Sequence, residues 1–250
     1  DPEMSRGLGD VYKRQTLNRA TDTTRQPGST FKILAAYSAA LDAGGLTLAS
    51  VQDDAPYTYA GANGKSVNNY DRRYRGFTTL REAITDSINI VTVKTLAQAG
   101  VSLGWQYVQE YGFTTVDSRD MNEALALGGI TQGVSNLELT AAYAAIANQG
   151  TYIKPKFYTK ILDHDGNVLI DNTTPESHTV IKDTTAWLLT SAMEDVMTSG
   201  TGTSAYFGSS MAQAGKSGTT TSSRDALFAG YTPYYTLSLI HISEPTRHLR

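Results

Sequence analysis

Helix-forming patterns occupy the first two thirds of this chain and alternating, strand-forming patterns the last third. That segregation restricts it to an α+β fold, in which helices pack on a mainly antiparallel sheet. The first predicted helix covers 29–43, opening after Pro27 and Gly28 and stopping at Gly44 and Gly45. Its middle carries Ala35, Ala36, Ala39 and Ala40, side chains small enough for neighbours to approach closely, so the helix is expected at the centre of the domain. Thr79 with Glu82, and Ser135 with Glu138, have capping-box spacing. The first pair opens a short helix, the second a helix running to Asn148 before Gly150. Further helices are predicted over 90–98, 102–111 and 184–198, the last with Trp187, Leu188, Met193 and Met197 in the core. Strands are expected over 152–163 and 167–170 around an Asp165–Gly166 turn, over 212–220 and 226–231, with a third beginning over 234–238. Residues 51–76 are polar and aromatic without period and read as a long surface loop.

Composition removes several function classes. At 250 residues and 40% hydrophobic the chain can bury one large core. A net charge of -3 with no basic cluster predicts no nucleic-acid partner. Without cysteine there is neither a disulfide framework nor thiolate chemistry. No apolar run reaches the length of a membrane span. Outside the C-terminal tail the histidines are His164, in a hairpin turn, and His178, in a polar loop; no paired spacing exists, so neither a metal site nor a histidine-based triad is expected, and no cofactor. Residues 1–15 and 239–250 resemble translated sequencing-adapter sequence. They are expected to be non-native tails around an incomplete domain at 16–238.

Three short words carry the chemistry. In the first, Ser29 and Lys32 stand at i and i+3 and share a helix face. A serine hydroxyl is a weak nucleophile until a base removes its proton. A lysine serves only when neutral, which requires its pKa to fall by about 3 units, or about 4 kcal/mol, through burial and a nearby positive charge. In the second, Ser87 and Asn89 at i and i+2 cannot share a helix face, so they are expected on a turn between two helices. In the third, Lys216, Ser217, Gly218, Thr219 and Thr220 lie in strand context. Glycine there marks close approach of another backbone, and Ser217 with Thr219 on one side of the pleat can receive a carboxylate. Alternation places Lys216 on the opposite side, so strand twist or side-chain length must bring it to the same site. A phosphate-binding loop is excluded, because Ser210 stands where its first glycine is required.

Each word is weak alone. Their order resembles that of the penicillin-binding protein and serine β-lactamase superfamily, S-x-x-K, S-x-N, K-[ST]-G. The flanks of Ser29 (Arg25 to Lys32), the Asn69-Tyr70-Asp71 stretch, Gly128-Gly129, Ala142-Tyr143-Ala144, Gly200-Thr201-Gly202 and the segment Asp225 to Pro233 are similar to the transpeptidase domain of class A, bifunctional members. Leu227 departs from the tryptophan common there. The resemblance implies a β-lactamase/transpeptidase-like fold with a helical subdomain. It implies a serine-type D,D-transpeptidase or carboxypeptidase acting on peptidoglycan stem peptides ending in D-Ala-D-Ala. Ser29 would be the nucleophile, Lys32 its base, and Ser87 a proton relay held by Lys216 and Asn89. Ser217, Gly218, Thr219 and Thr220 would bind substrate, with the backbone N–H groups of Ser29 and Thr219 as the oxyanion hole. β-Lactams would be covalent inhibitors. A membrane anchor and a glycosyltransferase domain are expected upstream, placing the domain on the extracytoplasmic face of the bacterial cytoplasmic membrane. The alternatives are a β-lactam-sensing receptor domain and a serine β-lactamase. The class A β-lactamase deacylation word E-x-x-L-N occurs at none of the eight glutamates.

Overall fold

The computed structural model describes residues 18–60, 64–219 and 225–242. Helix α1 spans 28–42 in three parts: a 3-10 turn at Gly28–Thr30, a π-helical stretch at Ile33–Tyr37 and an α-helical end at Ser38–Asp42. It is followed by α2 (Leu80–Thr85), α3 (Asn89–Ala99), α4 (Val101–Glu110), α5 (Asn136–Ala147) and α6 (Asp183–Thr198). Both predicted capping boxes form, at Thr79 for α2 and Ser135 for α5. Residues 31, 33–37, 39 and 40 are fully buried, so α1 is the central helix that its alanines imply.

Every strand pair is antiparallel. In chain order the strands are β1 (Thr24–Arg25), β2 (Val51–Asp54), β3 (Tyr57–Thr58), β4 (Ser66–Val67), β5 (Gly76–Thr79), β6 (Val134–Ser135), β7 (Thr151–Ile153), β8 (Lys160–Leu162), β9 (Val168–Asp171), β10 (Ser177–Thr179), β11 (Ala214–Thr219), β12 (Asp225–Tyr231) and β13 (Thr236–Ile242). The main described sheet runs β11-β12-β13, with Lys216 opposite Ala229 and Ala229 opposite Ser238. Helix α6 packs on β11 and α5 on β12 and β13. Ser238 Oγ ties β13 to α5 by donating to Asn136 Oδ1 at 2.8 Å. The α+β architecture agrees with the sequence; four details differ.

Residues 51–76 are not one loop: β2 pairs β5, and β3 pairs β4. The strand expected over 152–163 divides between β7, which pairs β10, and β8, which pairs β9. Trp187 is 68% exposed and outside the core, whereas Leu189 and Met193, on the face of α6 turned inward, are fully buried. Strand β13 continues past Ser238, so Leu239 to Ile242 of the expected tail pair with β12.

Helix α4 lies against the π-helical stretch through Gly104. A β-carbon there would stand 2.5 Å from the Ala35 carbonyl oxygen and overlap Leu96 Cδ1. Alanine favours helix over glycine, but a backbone oxygen cannot step aside. Gly104→Ala is therefore expected to destabilise by about 1–3 kcal/mol, lowering Tm by roughly 2–10 °C. An unchanged or raised Tm would show that α4 is free to shift.

Candidate active site

Ser29 lies in the opening 3-10 turn of α1, pressed against β11 by two glycines. Gly28 has φ +55°, and a β-carbon on it would stand 2.8 Å from the Thr219 carbonyl oxygen. One on Gly218 would stand 2.9 Å from Thr30 Cγ2 and 3.0 Å from the Pro27 carbonyl oxygen. The glycine in the third word thus does what glycine inside a strand implies: it admits another backbone. Tyr143 Oη on α5 donates to the Thr30 carbonyl at 2.7 Å and fixes the same turn from behind.

The second word closes one helix and opens the next. Ser87 N–H reaches the Ile84 carbonyl at 3.3 Å and Ile88 N–H the Ala83 carbonyl at 2.9 Å, the Schellman closure of α2. That closure demands a left-handed residue after the helix, usually glycine; here it is Ser87, at φ +57°. A β-carbon in that conformation costs roughly 1–2 kcal/mol. In return Ser87 brings both its carbonyl oxygen and its Oγ to Lys32.

Lys32 and Lys216 are both fully buried and converge on Ser87. Lys32 Nζ donates to the Ser87 carbonyl at 2.6 Å, Asn89 Oδ1 at 2.6 Å and Ser87 Oγ at 3.1 Å. Lys216 Nζ donates to Ser87 Oγ at 2.8 Å and to the Ser217 carbonyl at 3.1 Å. Lys216 shares a side of the β11 pleat with Gly218, the glycine packed against the α1 turn, and from there its Nζ reaches Ser87 Oγ. Burial, then the charge of Lys216, holds Lys32 well below the ordinary lysine range. Burial alone brings Lys216 down to about 7.

The two shortest Lys32 contacts go to a carbonyl and an amide oxygen, which only accept. Without its proton Lys32 has two N–H donors, which these two contacts take, and its lone pair is left to the third neighbour, Ser87 Oγ at 3.1 Å, which then donates its O–H to Nζ. Ser29 Oγ is half-buried and carries no hydrogen bond among the described residues. Asn89 bonds Lys32 rather than holding Ser87 directly, a difference from the sequence expectation. Ser217 Oγ shares a 2.7 Å hydrogen bond with Thr201 Oγ1, a residue that stands in the sequence only as the centre of a glycine-flanked word. Thr219 is exposed at the strand edge beside them. Thr220 lies outside the described residues.

Residues 3–244 match the family model of the penicillin binding protein transpeptidase domain, a span wider than the expected 16–238. The chain is 38% identical over 234 residues to penicillin-binding protein 1F of Bacillus subtilis, covering 91% of this chain and 31% of that one. It therefore spans about a third of that relative's length. The structure of penicillin-binding protein 1A from Haemophilus influenzae superposes with a TM-score of 0.78 at 27% identity, over 91% of this chain and 39% of that one. Penicillin-binding protein A from M. tuberculosis, solved as an imipenem acyl-enzyme complex, has the same fold, with a TM-score of 0.79 at 19% identity over 93% of this chain and 58% of that one.

Both lysines bind protons less tightly folded than unfolded, so over the interval between the two values the unfolded chain holds more protons. Stability then rises with pH, from about 7 for Lys216 toward its ordinary 10.5. The contribution of Lys216 approaches about 5 kcal/mol in the limit. Urea unfolding at a series of pH values between 7 and 10 is expected to show this rise, and Lys216→Met to flatten it. An identical slope in the variant would contradict the burial of a titrating Lys216.

Proposed function

The chain belongs to the penicillin-binding protein transpeptidase family, and from that premise we propose that it cross-links peptidoglycan as a serine D,D-transpeptidase. The observation that carries this reading is the convergence of two fully buried lysines on Ser87, beside the helix turn that holds Ser29. Ser29 Oγ attacks the carbonyl between the two terminal D-Ala residues of a stem peptide. Proton-free Lys32 takes the hydroxyl proton as the Oγ–C bond forms. The tetrahedral oxyanion accepts from the backbone N–H groups of Ser29 and Thr219, which the Gly28 contact with Thr219 keeps adjacent. Such donors are each worth about 3 kcal/mol in the barrier. As the C–N bond breaks, the proton passes from Lys32 through Ser87 Oγ to the departing D-Ala amine, and Lys216 stabilises Ser87 as it changes hands. An amine of a second stem peptide then attacks the Ser29 ester, forms the cross-link and restores the hydroxyl; water in its place gives carboxypeptidase action.

Ser217, with its hydroxyl fixed by Thr201, Thr219 and Thr220 hold the terminal carboxylate, and Lys216 adds positive potential. A β-lactam presents its strained amide to Ser29 in the same way and is retained as the ester. No helix among the described residues is long and apolar enough to cross a membrane. We place the domain outside the cytoplasmic membrane, with an anchor and a glycosyltransferase domain elsewhere in a longer protein.

Intact-mass measurement after exposure to a penicillin tests the assignment. One adduct is expected per chain and none in Ser29→Ala; an adduct that survives the substitution overturns it. Replacing Lys32 by Met is expected to slow acylation by about 100-fold or more, the usual scale for loss of a general base. The acid limb of the acylation rate against pH is expected well below the ordinary lysine range, because Lys32 titrates there. A limb near 10 would show that Lys32 is not depressed.

A further inference from the structure

Asn89 is the first residue of α3, and its backbone position decides whether its Oδ1 meets Lys32. The residue before it, Ile88, is the N-cap and has no polar side chain, so the helix cannot cap itself. The missing acceptor comes from twenty residues away. Asn69 Oδ1 accepts from Asn89 N–H at 3.0 Å and Ile90 N–H at 3.2 Å. Asn69 is only 4% exposed, and its amide has one workable orientation. Its Nδ2 faces the fully buried carboxylate of Asp54, at 2.8 Å to Oδ1 and 2.9 Å to Oδ2, and also donates to the Arg73 carbonyl at 2.8 Å. A carboxylate only accepts and a helix N-terminus only donates, so the amide cannot turn over. Asp54 is fixed in turn by Arg75 N–H at 2.9 Å, with the Arg75 guanidinium at 3.9 Å. Asn89 Nδ2 donates to the Asn68 carbonyl at 2.7 Å, which holds its side chain with Oδ1 toward Lys32.

We propose that Asp54 and Asn69 are positioning residues of the acylation step: the buried carboxylate orients the Asn69 amide, the amide caps α3, and the cap sets Asn89 against Lys32. The inference rests on the acyl-transfer reading above. Neither residue touches Ser29 or the substrate. They act by holding the acceptor that keeps two Lys32 hydrogens committed and its lone pair directed, as an outer shell orients a ligand.

The test exchanges the pair in the full chain and follows acylation by a fluorescent penicillin, separating the dissociation constant of the initial complex from the first-order acylation step. Asp54→Asn sets a donor against either Asn69 Nδ2 or Arg75 N–H. Asn69→Asp sets two carboxylates face to face. Each single variant is expected to slow the first-order step by about tenfold or more while the initial dissociation constant stays within about twofold. The exchanged double variant, Asp54→Asn with Asn69→Asp, again offers a donor to an acceptor and an acceptor to the helix, while the Arg73 carbonyl loses its donor. It is expected to recover in part, acylating at least about threefold faster than either single variant. Single variants that acylate at the unsubstituted rate, or a double variant that is folded but as slow as either single, would overturn the proposal. If a single variant does not fold, the double variant decides by the same criterion. Failure of the unsubstituted chain to acylate is a separate result, which would overturn the acyl-transfer reading and this proposal with it.

Discussion

Two ammonium-bearing side chains buried against one hydroxyl form the arrangement on which the rest of the molecule depends. Lys32 and Lys216 come from elements 184 residues apart in the chain, yet both end on Ser87 Oγ. A fold organised only for stability would not place them together. Each loses hydration, and each charge opposes the other. The arrangement is tolerable when protons leave, and a lysine without its proton is the base that a serine nucleophile requires. The same burial that weakens the fold at neutral pH therefore supplies the reactivity.

Backbone geometry supports this pair in ways unrelated to charge. Gly28 and Gly218 let the α1 turn and the β11 edge approach to distances no side chain would allow. Ser87 accepts the left-handed conformation that the end of α2 imposes, and so presents two oxygens to one amine. The π-helical stretch of α1 lies immediately after Lys32, where Ser38 Oγ donates to the Ile33 carbonyl at 2.9 Å and shares a hydrogen bond with Tyr111 Oη. Stretches of this kind recur at functional sites, because the inserted residue changes which side chains share a face.

Helix ends and chemical words were legible in the sequence because both are local. Thr79 with Glu82 and Ser135 with Glu138 carry their caps within four residues, and the Ser29, Ser87 and Lys216 words could be placed on a helix, a turn and a strand before any coordinates. The short pairings β2–β5 and β3–β4 were not legible: two to four residues show no period, and their stability comes from partners distant in sequence. Trp187 is exposed despite its residue type, because its side of α6 faces away from the core. The choice of Asn89 by Lys32, the Thr201 partner of Ser217 and the Asp54–Asn69 pair are tertiary hydrogen bonds that no spacing rule encodes. Asn69 belongs to a recognisable word, but a word does not reveal which way an amide points.

The charge state of the lysine pair is directly measurable by NMR titration of side-chain nitrogens in lysine-labelled protein, with Lys32→Met and Lys216→Met assigning the signals. Both site lysines are expected to titrate well below the exposed lysines, Lys216 near 7, and the Lys32 signal to move upward in pKa when the charge at 216 is removed. Both signals titrating with the exposed lysines near 10.5 would contradict this expectation.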